Sequence, residues 1–232
     1  MKENFDVILL AAGKGERFKS EIPKQFIEVK NNLTIIEMSF NTLSKFTKRI
    51  IITKPLNQDF PVDIYNRLQE QSQKENIEII FCEGGFDRQN SVEKALEFVK
   101  AKYILIHDAA RPLISERDLL RLTNSVIEKQ ACVLASKITD TLKEVKENSQ
   151  IIEKTIDRNK IWAVQTPQGF NTQKFKQALK FANEKKIRAT DDSFIMEFAG
   201  EEVYILENKD PNFKITEQKD FMMLLALITE KP

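Results

Sequence analysis

Apolar residues along this chain gather in two alternating kinds of segment. Short dense runs stand at Val7–Ala11, Ile50–Thr53, Ile77–Cys82, Tyr103–His107, Cys132–Ser136 and Val203–Leu206, each of strand length. Between them, helix-like stretches run over Pro61–Lys74, Arg88–Lys100, Glu116–Lys129, Thr172–Lys186 and Glu217–Glu230. This alternation predicts an α/β fold with a mainly parallel central sheet between helices. Runs such as Ile50-Ile51-Ile52 are apolar at successive positions, so both faces of the sheet are expected to be covered.

One segment breaks the pattern. Thr141–Val145 and Ile151–Thr155 are short extended runs around the polar turn Lys146-Glu147-Asn148-Ser149-Gln150. They predict a protruding β-arm at about 138–163 in place of a crossover helix. A hairpin this isolated is marginal alone, so the arm is expected to pack on another subunit. No repeat, low-complexity tract or Pro/Gly-rich linker divides the chain, so one domain over 1–232 that includes the arm is the simplest organisation.

Composition narrows the function. With 41% hydrophobic and 31% charged residues the chain is that of a soluble globular protein. Its 36 basic and 35 acidic residues leave no global field to collect nucleic acid or an anionic membrane, so a polyanion must be held by a local cluster and the expected partner is a small molecule. Cys82 and Cys132 lie in apolar runs without metal-ligand spacing and read as core residues. The single histidine, His107, sits on an apolar strand and reads as a hydrogen-bonded structural imidazole. The start of the chain has no signal-peptide h-region, and no apolar run reaches the roughly 20 residues that span a bilayer, so the cytoplasm is the expected compartment.

Candidate chemistry follows the strand ends, where open parallel sheets bind their ligands. After the first strand comes Ala11-Ala12-Gly13-Lys14-Gly15-Glu16-Arg17, then Pro23-Lys24-Gln25-Phe26. Small residues let backbone N–H groups approach a polyphosphate, and Lys14, Arg17 and Lys24 can neutralise its charge. The loop lacks both the P-loop pattern and the third glycine of a dinucleotide fingerprint. After the third strand stands Gly84-Gly85-Phe86-Asp87-Arg88-Gln89-Asn90-Ser91, which alone reads first as an ordinary β–α turn capped by Asp87 or Asn90 and second as a contact for a base or ribose. After the fourth stands Asp108-Ala109-Ala110-Arg111-Pro112, with Asp108 for a ribose or Mg²⁺ and Arg111 for a substrate phosphate. Taken singly, Thr190, Asp191 and Thr216 read as helix caps, and Arg158 and Lys214 as surface cations.

As an ordered set these segments carry more. Together with Asp140-Thr141-Leu142-Lys143, Asp157-Arg158-Asn159, Gln165-Thr166-Pro167-Gln168, Thr190-Asp191-Asp192 and Asn212-Phe213-Lys214-Ile215-Thr216, they closely resemble the 2-C-methyl-D-erythritol 4-phosphate cytidylyltransferases over nearly the whole chain. The resemblance implies a single Rossmann-like nucleotidyltransferase domain that makes CDP-methylerythritol and pyrophosphate from CTP, with Mg²⁺ as cofactor. It implies that Ala11, Ala12, Gly13, Lys14, Gly15, Gly85, Arg88, Ser91 and Asp108 hold CTP, and that Arg17, Lys24, Arg158 and Lys214 form the catalytic set. Asp108, Arg111, Thr141, Arg158, Thr166 and Thr190 would hold methylerythritol phosphate, with Thr141 and Arg158 supplied by the arm of a partner in a homodimer. Asp108 is the one side chain expected at the metal. A pentitol-phosphate cytidylyltransferase is the nearest rival and a non-catalytic nucleotide sensor a more distant one. Ala12, and Ala109-Ala110 between Asp108 and Arg111, favour the methylerythritol enzyme.

Overall fold

The computed structural model describes residues 2–229 except 14, 19, 21, 31 and 58. Its strands are β1 Phe5–Leu10, β2 Glu28–Lys30, β3 Leu33–Thr34, β4 Arg49–Lys54, β5 Glu78–Glu83, β6 Tyr103–Asp108, β7 Ala131–Lys137, β8 Leu142–Val145, β9 Ile152–Ile156, β10 Trp162–Asn171 and β11 Tyr204–Glu207. The helices are α1 Ile35–Leu43, α2 Val62–Glu75, α3 Arg88–Leu96, α4 Glu116–Lys129, α5 Thr172–Glu184, α6 Asp192–Phe198 and α7 Gln218–Thr229. All six predicted strands and all five predicted helices are present, with ends shifted by a few residues.

Seven strands form one sheet in the order β11-β7-β10-β6-β1-β4-β5. β1 runs parallel to β4 and β6, β4 to β5, and β7 to β11; only β10 runs antiparallel to its neighbours. The sheet is mainly parallel, as the alternation predicts. Because side chains alternate across a strand, Phe5, Val7 and Leu9 face a layer containing Phe40, Leu68, Leu122 and Val126, while Ile8 faces Val92, Leu96, Phe175 and Met196. Helices therefore cover both faces, and the continuous apolar runs are explained by burial on both sides.

The chain leaves β1 toward β4 on one side and later places β6 on its other side, so the switch in strand order falls at β1. The crevice beyond the carboxyl ends of β1 and β6 is where such a sheet accepts a ligand. Among the described residues β8 and β9 pair only with each other, as an antiparallel hairpin between β7 and β10. Most of its residues are exposed, with Val145 48%, Ile151 63% and Ile152 57% accessible. Both cysteines are free and buried.

Candidate active site

The loop after β1 is tied down from both sides. The Ala11 N–H donates to Thr53 Oγ1 at 3.1 Å, and Gln25 Nε2 donates to the carbonyls of Ala11 and Gly13 at 2.6 and 3.1 Å. Ala12 is half-buried and Gly13 exposed. Gly15 needs its freedom, since its φ of +67° lies in the left-handed region. Arg17 is exposed on the short turn Glu16–Phe18, and Lys24 opens the turn Lys24–Phe26 with its stem beside Gly15. Lys14 lies outside the described residues.

Beyond β5, Gly84 is where two strand ends meet. A Cβ there would stand 2.4 Å from the Ala12 Cβ and 3.1 Å from the Lys54 carbonyl oxygen, so only glycine allows this approach. The Gly85 N–H donates to Ser91 Oγ at 2.9 Å, and Ser91 Oγ donates to the Asp87 carbonyl at 2.8 Å. Asp87 caps α3, accepting the Asn90 N–H at 2.7 Å.

Asp108, 8% exposed at the end of β6, is the electrostatic centre. Its Oδ2 accepts from Lys214 Nζ at 2.7 Å and its Oδ1 from Arg88 Nε at 3.3 Å. Burial acts to raise its pKa, but Arg88, Lys214 and Arg111 outweigh that and hold the carboxyl well below the usual range. Arg88 also forks onto Asp192, its Nη1 and Nη2 donating at 2.8 and 2.7 Å. Arg88 thus bridges Asp108 and Asp192, tying the end of β6 to the start of α6.

Lys24 joins this group. Burial, and then repulsion from Lys214 and Arg17, push its amine down to about 8. Arg17 and Lys24, both in the connection after β1, and Lys214, just before α7, thus repel one another at the mouth of β1 and β6, with Asp108 as the anion among them. Arg111 donates from Nη1 to the Asn212 carbonyl at 2.9 Å, and its Nε is buried with no hydrogen-bond partner among the described residues.

His107 is enclosed beneath this loop, with both ring nitrogens in hydrogen bonds. Fully buried, its imidazole is pushed down to about 4 and is neutral. His107 Nε2–H donates to the Arg111 carbonyl at 3.1 Å, which leaves Nδ1 of the neutral ring to accept the Thr166 O–H at 3.1 Å, while Thr166 Oγ1 accepts the Asp108 N–H at 3.0 Å. The hydroxyl of Thr166 is therefore turned inward, where it holds the Asp108–Arg111 loop through its imidazole neighbour. Thr190 is exposed just before Asp191, which caps α6 by accepting the Phe194 N–H at 3.1 Å.

Thr141 and Arg158 do not join the crevice. Both are exposed on the hairpin segment, and Arg158 Nη1 donates to the Thr139 carbonyl. Four supporting residues lay outside the expectation from sequence: Gln25, Gln168, Asp192 and Asn212. Gln168 accepts the Ser193 N–H and donates to Asp191, while Asn212 Nδ2 donates to the Thr166 carbonyl. Each is a buried polar residue inside a motif already singled out, and that burial is the signal that distinguishes them from surface side chains.

A family model described as 2-C-methyl-D-erythritol 4-phosphate cytidylyltransferase matches residues 5–230. The protein of that name from Bacillus pumilus (strain SAFR-032) is 35% identical over 231 residues, 97% of this chain and 96% of its own length. The Acinetobacter baylyi protein of the same name is 34% identical, over 97% of this chain and 93% of its own. The crystal structure of 2-C-methyl-D-erythritol 4-phosphate cytidylyltransferase from Thermus thermophilus is similar with a TM-score of 0.78 at 26% identity, covering 96% of this chain and 98% of that one. A synthase from Anaerococcus prevotii DSM 20548 shares the fold with a TM-score of 0.79 at 24% identity, covering 97% and 98%. From the strand order through the crevice to these full-length matches, the chain belongs to the 2-C-methyl-D-erythritol 4-phosphate cytidylyltransferase family.

Proposed function

We infer that the chain transfers the cytidylyl group of CTP to 2-C-methyl-D-erythritol 4-phosphate, releasing pyrophosphate. Family membership supplies the substrates, and the pairing of Lys214 with Asp108 at the end of β6, with Lys24 packed against Gly15 in the loop after β1, is the observation in the molecule that carries the reading. The acceptor is a phosphate monoester whose second pKa is about 6, so its oxygen is already a competent nucleophile at neutral pH. No general base is required, in keeping with a His107 that is neutral and has both ring nitrogens occupied. The task left to the protein is to align two anions that repel each other and to stabilise charge at the α-phosphorus and the departing pyrophosphate.

In this reading Arg17, Lys24 and Lys214 bind the triphosphate, with the backbone of Ala11, Ala12, Gly13 and Gly15 against its oxygens. Gly85 and Ser91 face the base, and Arg111 and Thr190 take the methylerythritol phosphate. Mg²⁺ fits as a cofactor held by one protein side chain. Asp108 offers hard carboxylate oxygens, and the single contacts from Lys214 and Arg88 leave each oxygen a lone pair. Among the described residues no group of three or more His, Cys, Asp or Glu could hold a metal, so its other ligands would be phosphate oxygens and water. When bound, Mg²⁺ would add positive charge at the phosphates.

Thr141 and Arg158, exposed on the hairpin, would complete the crevice of a second copy in a homodimer. The exposed Val145, Ile151 and Ile152 offer that hairpin an apolar face to bury. Pyrophosphate release from CTP, measured with methylerythritol phosphate and with ribitol 5-phosphate as acceptors, tests the reading. Turnover is expected with the first only; CTP binding without turnover on either would overturn it.

A further inference from the structure

Apart from the two clusters that sandwich the sheet, a third apolar cluster joins Phe18, Ile35, Ile215 and Leu224, with Phe213 and Phe221 packed against it. Two of its members are the chain neighbours of site cations, since Phe18 follows Arg17 and Ile215 follows Lys214. Helix α7 supplies Leu224 and Phe221 and lies against both. The Phe221 ring meets Phe18 edge-on, with centroids 6.1 Å apart and planes at 88°. Gln218 Nε2 donates to the Phe18 carbonyl at 3.2 Å, reaching the turn that carries Arg17.

The start of α7 is anchored in turn. Asp220 accepts the backbone N–H groups of Thr216 and Glu217, each at 2.8 Å, and its charge also acts on Lys24. The Ile215 N–H donates to the Ala110 carbonyl at 2.8 Å, which joins the Lys214 segment to the loop after β6. One helix therefore touches the residues next to Arg17 and Lys214, and the charge of its Asp220 reaches Lys24.

We propose that α7 braces Arg17 against Lys214, with Gln218 and Phe221 as positioning residues whose contacts with Phe18 set where the Arg17 guanidinium stands. This inference rests on the assignment of Arg17 to the triphosphate. The physical case is one of precision. Arg17 is exposed on a three-residue turn, and such a turn has too few contacts of its own to hold a long side chain to the sub-ångström tolerance that charge stabilisation demands. The brace supplies an aromatic edge contact and a hydrogen bond to the residue next to it.

A double-mutant cycle tests this in full-length protein. Phe221→Ala is expected to lower kcat/KM for CTP by about 10- to 100-fold while leaving the KM for methylerythritol phosphate unchanged. Phe221→Leu, which keeps an apolar contact on Phe18, is expected to recover most of that loss. In an Arg17→Ala background, Phe221→Ala should cost little more, because its effect runs through Arg17. Where Phe221→Ala does not fold, Gln218→Leu serves in the same cycle, with a several-fold loss expected. An undiminished cost of the α7 substitution in the Arg17→Ala background overturns the brace alone. An Arg17→Ala enzyme as fast as the wild type overturns the assignment of Arg17 and the brace with it.

Discussion

Lys24 shows how far a single side chain is shaped by its neighbours. Burial, with Lys214 and Arg17 close by, brings its amine to about 8 from an ordinary 10.5. Between those two values the unfolded chain binds more protons than the folded one, so stability rises with pH through that window, and at neutral pH the charged amine costs stability. Lys24→Met is expected to unfold later than wild type in urea at pH 7, by on the order of 1 kcal/mol once solvent screening is allowed for, while losing turnover steeply. A bound triphosphate reverses the field. Binding CTP near pH 8 should then take up about half a proton, readable by calorimetry in buffers of different ionisation enthalpy, and kcat/KM for CTP should fall above that pH. At Gly84 the constraint is steric. Gly84→Ala must part the Ala12 and Lys54 segments, and should cost about 1–3 kcal/mol in denaturant unfolding and raise the KM for CTP.

At the scale of elements, helix α3 is bound to α6 through Arg88 and Asp192. Asp192→Asn leaves a guanidinium with 29% of its side chain exposed and only Asp108 for a charged partner. Breaking such a pair is expected to cost about 3 kcal/mol in denaturant unfolding, and to draw Arg88 onto Asp108 at the expense of Lys214, so activity should fall as well. The elements themselves were unevenly legible. Strands buried on both faces announce themselves by composition, and β1, β4 and β6 fall within a residue or two of the apolar runs. β10 did not, because Gln165, Thr166, Pro167, Gln168 and Gly169 form no apolar run. Its irregular register between Val164 and Gln168 and the close approach of Gly169 to Val126, where a Cβ would stand 2.4 Å from Cγ2, are tertiary facts that no local pattern carries. Helix α1 begins with Ile35-Ile36, which local propensity favours as strand. Its signal was Thr34 three residues before Glu37, whose carboxylate accepts the Thr34 N–H at 2.9 Å. The cations of the site were legible as motifs, whereas Asp192 and Gln168 act by reaching partners distant in sequence.

For the whole molecule, the crevice of one chain holds Arg17, Lys24, Asp108, Arg111 and Lys214 near the switch point of the sheet, while Thr141 and Arg158 sit on a hairpin that pairs with no other strand among the described residues. If each site draws Arg158 from the other copy, the two halves of a site belong to different chains, and defects in the two halves can be sorted apart. Arg17→Ala and Arg158→Ala should each be nearly inactive as pure proteins. Mixed in equal amounts and allowed to exchange subunits, about half of the dimers become heterodimers. In each of these one site collects both substitutions and the other collects neither, so the mixture should recover about a quarter of wild-type activity. A site contained within one chain gives no recovery, since every crevice then carries one substitution whatever its partner. Pyrophosphate release before and after mixing, with gel filtration to follow the dimer, distinguishes the two arrangements.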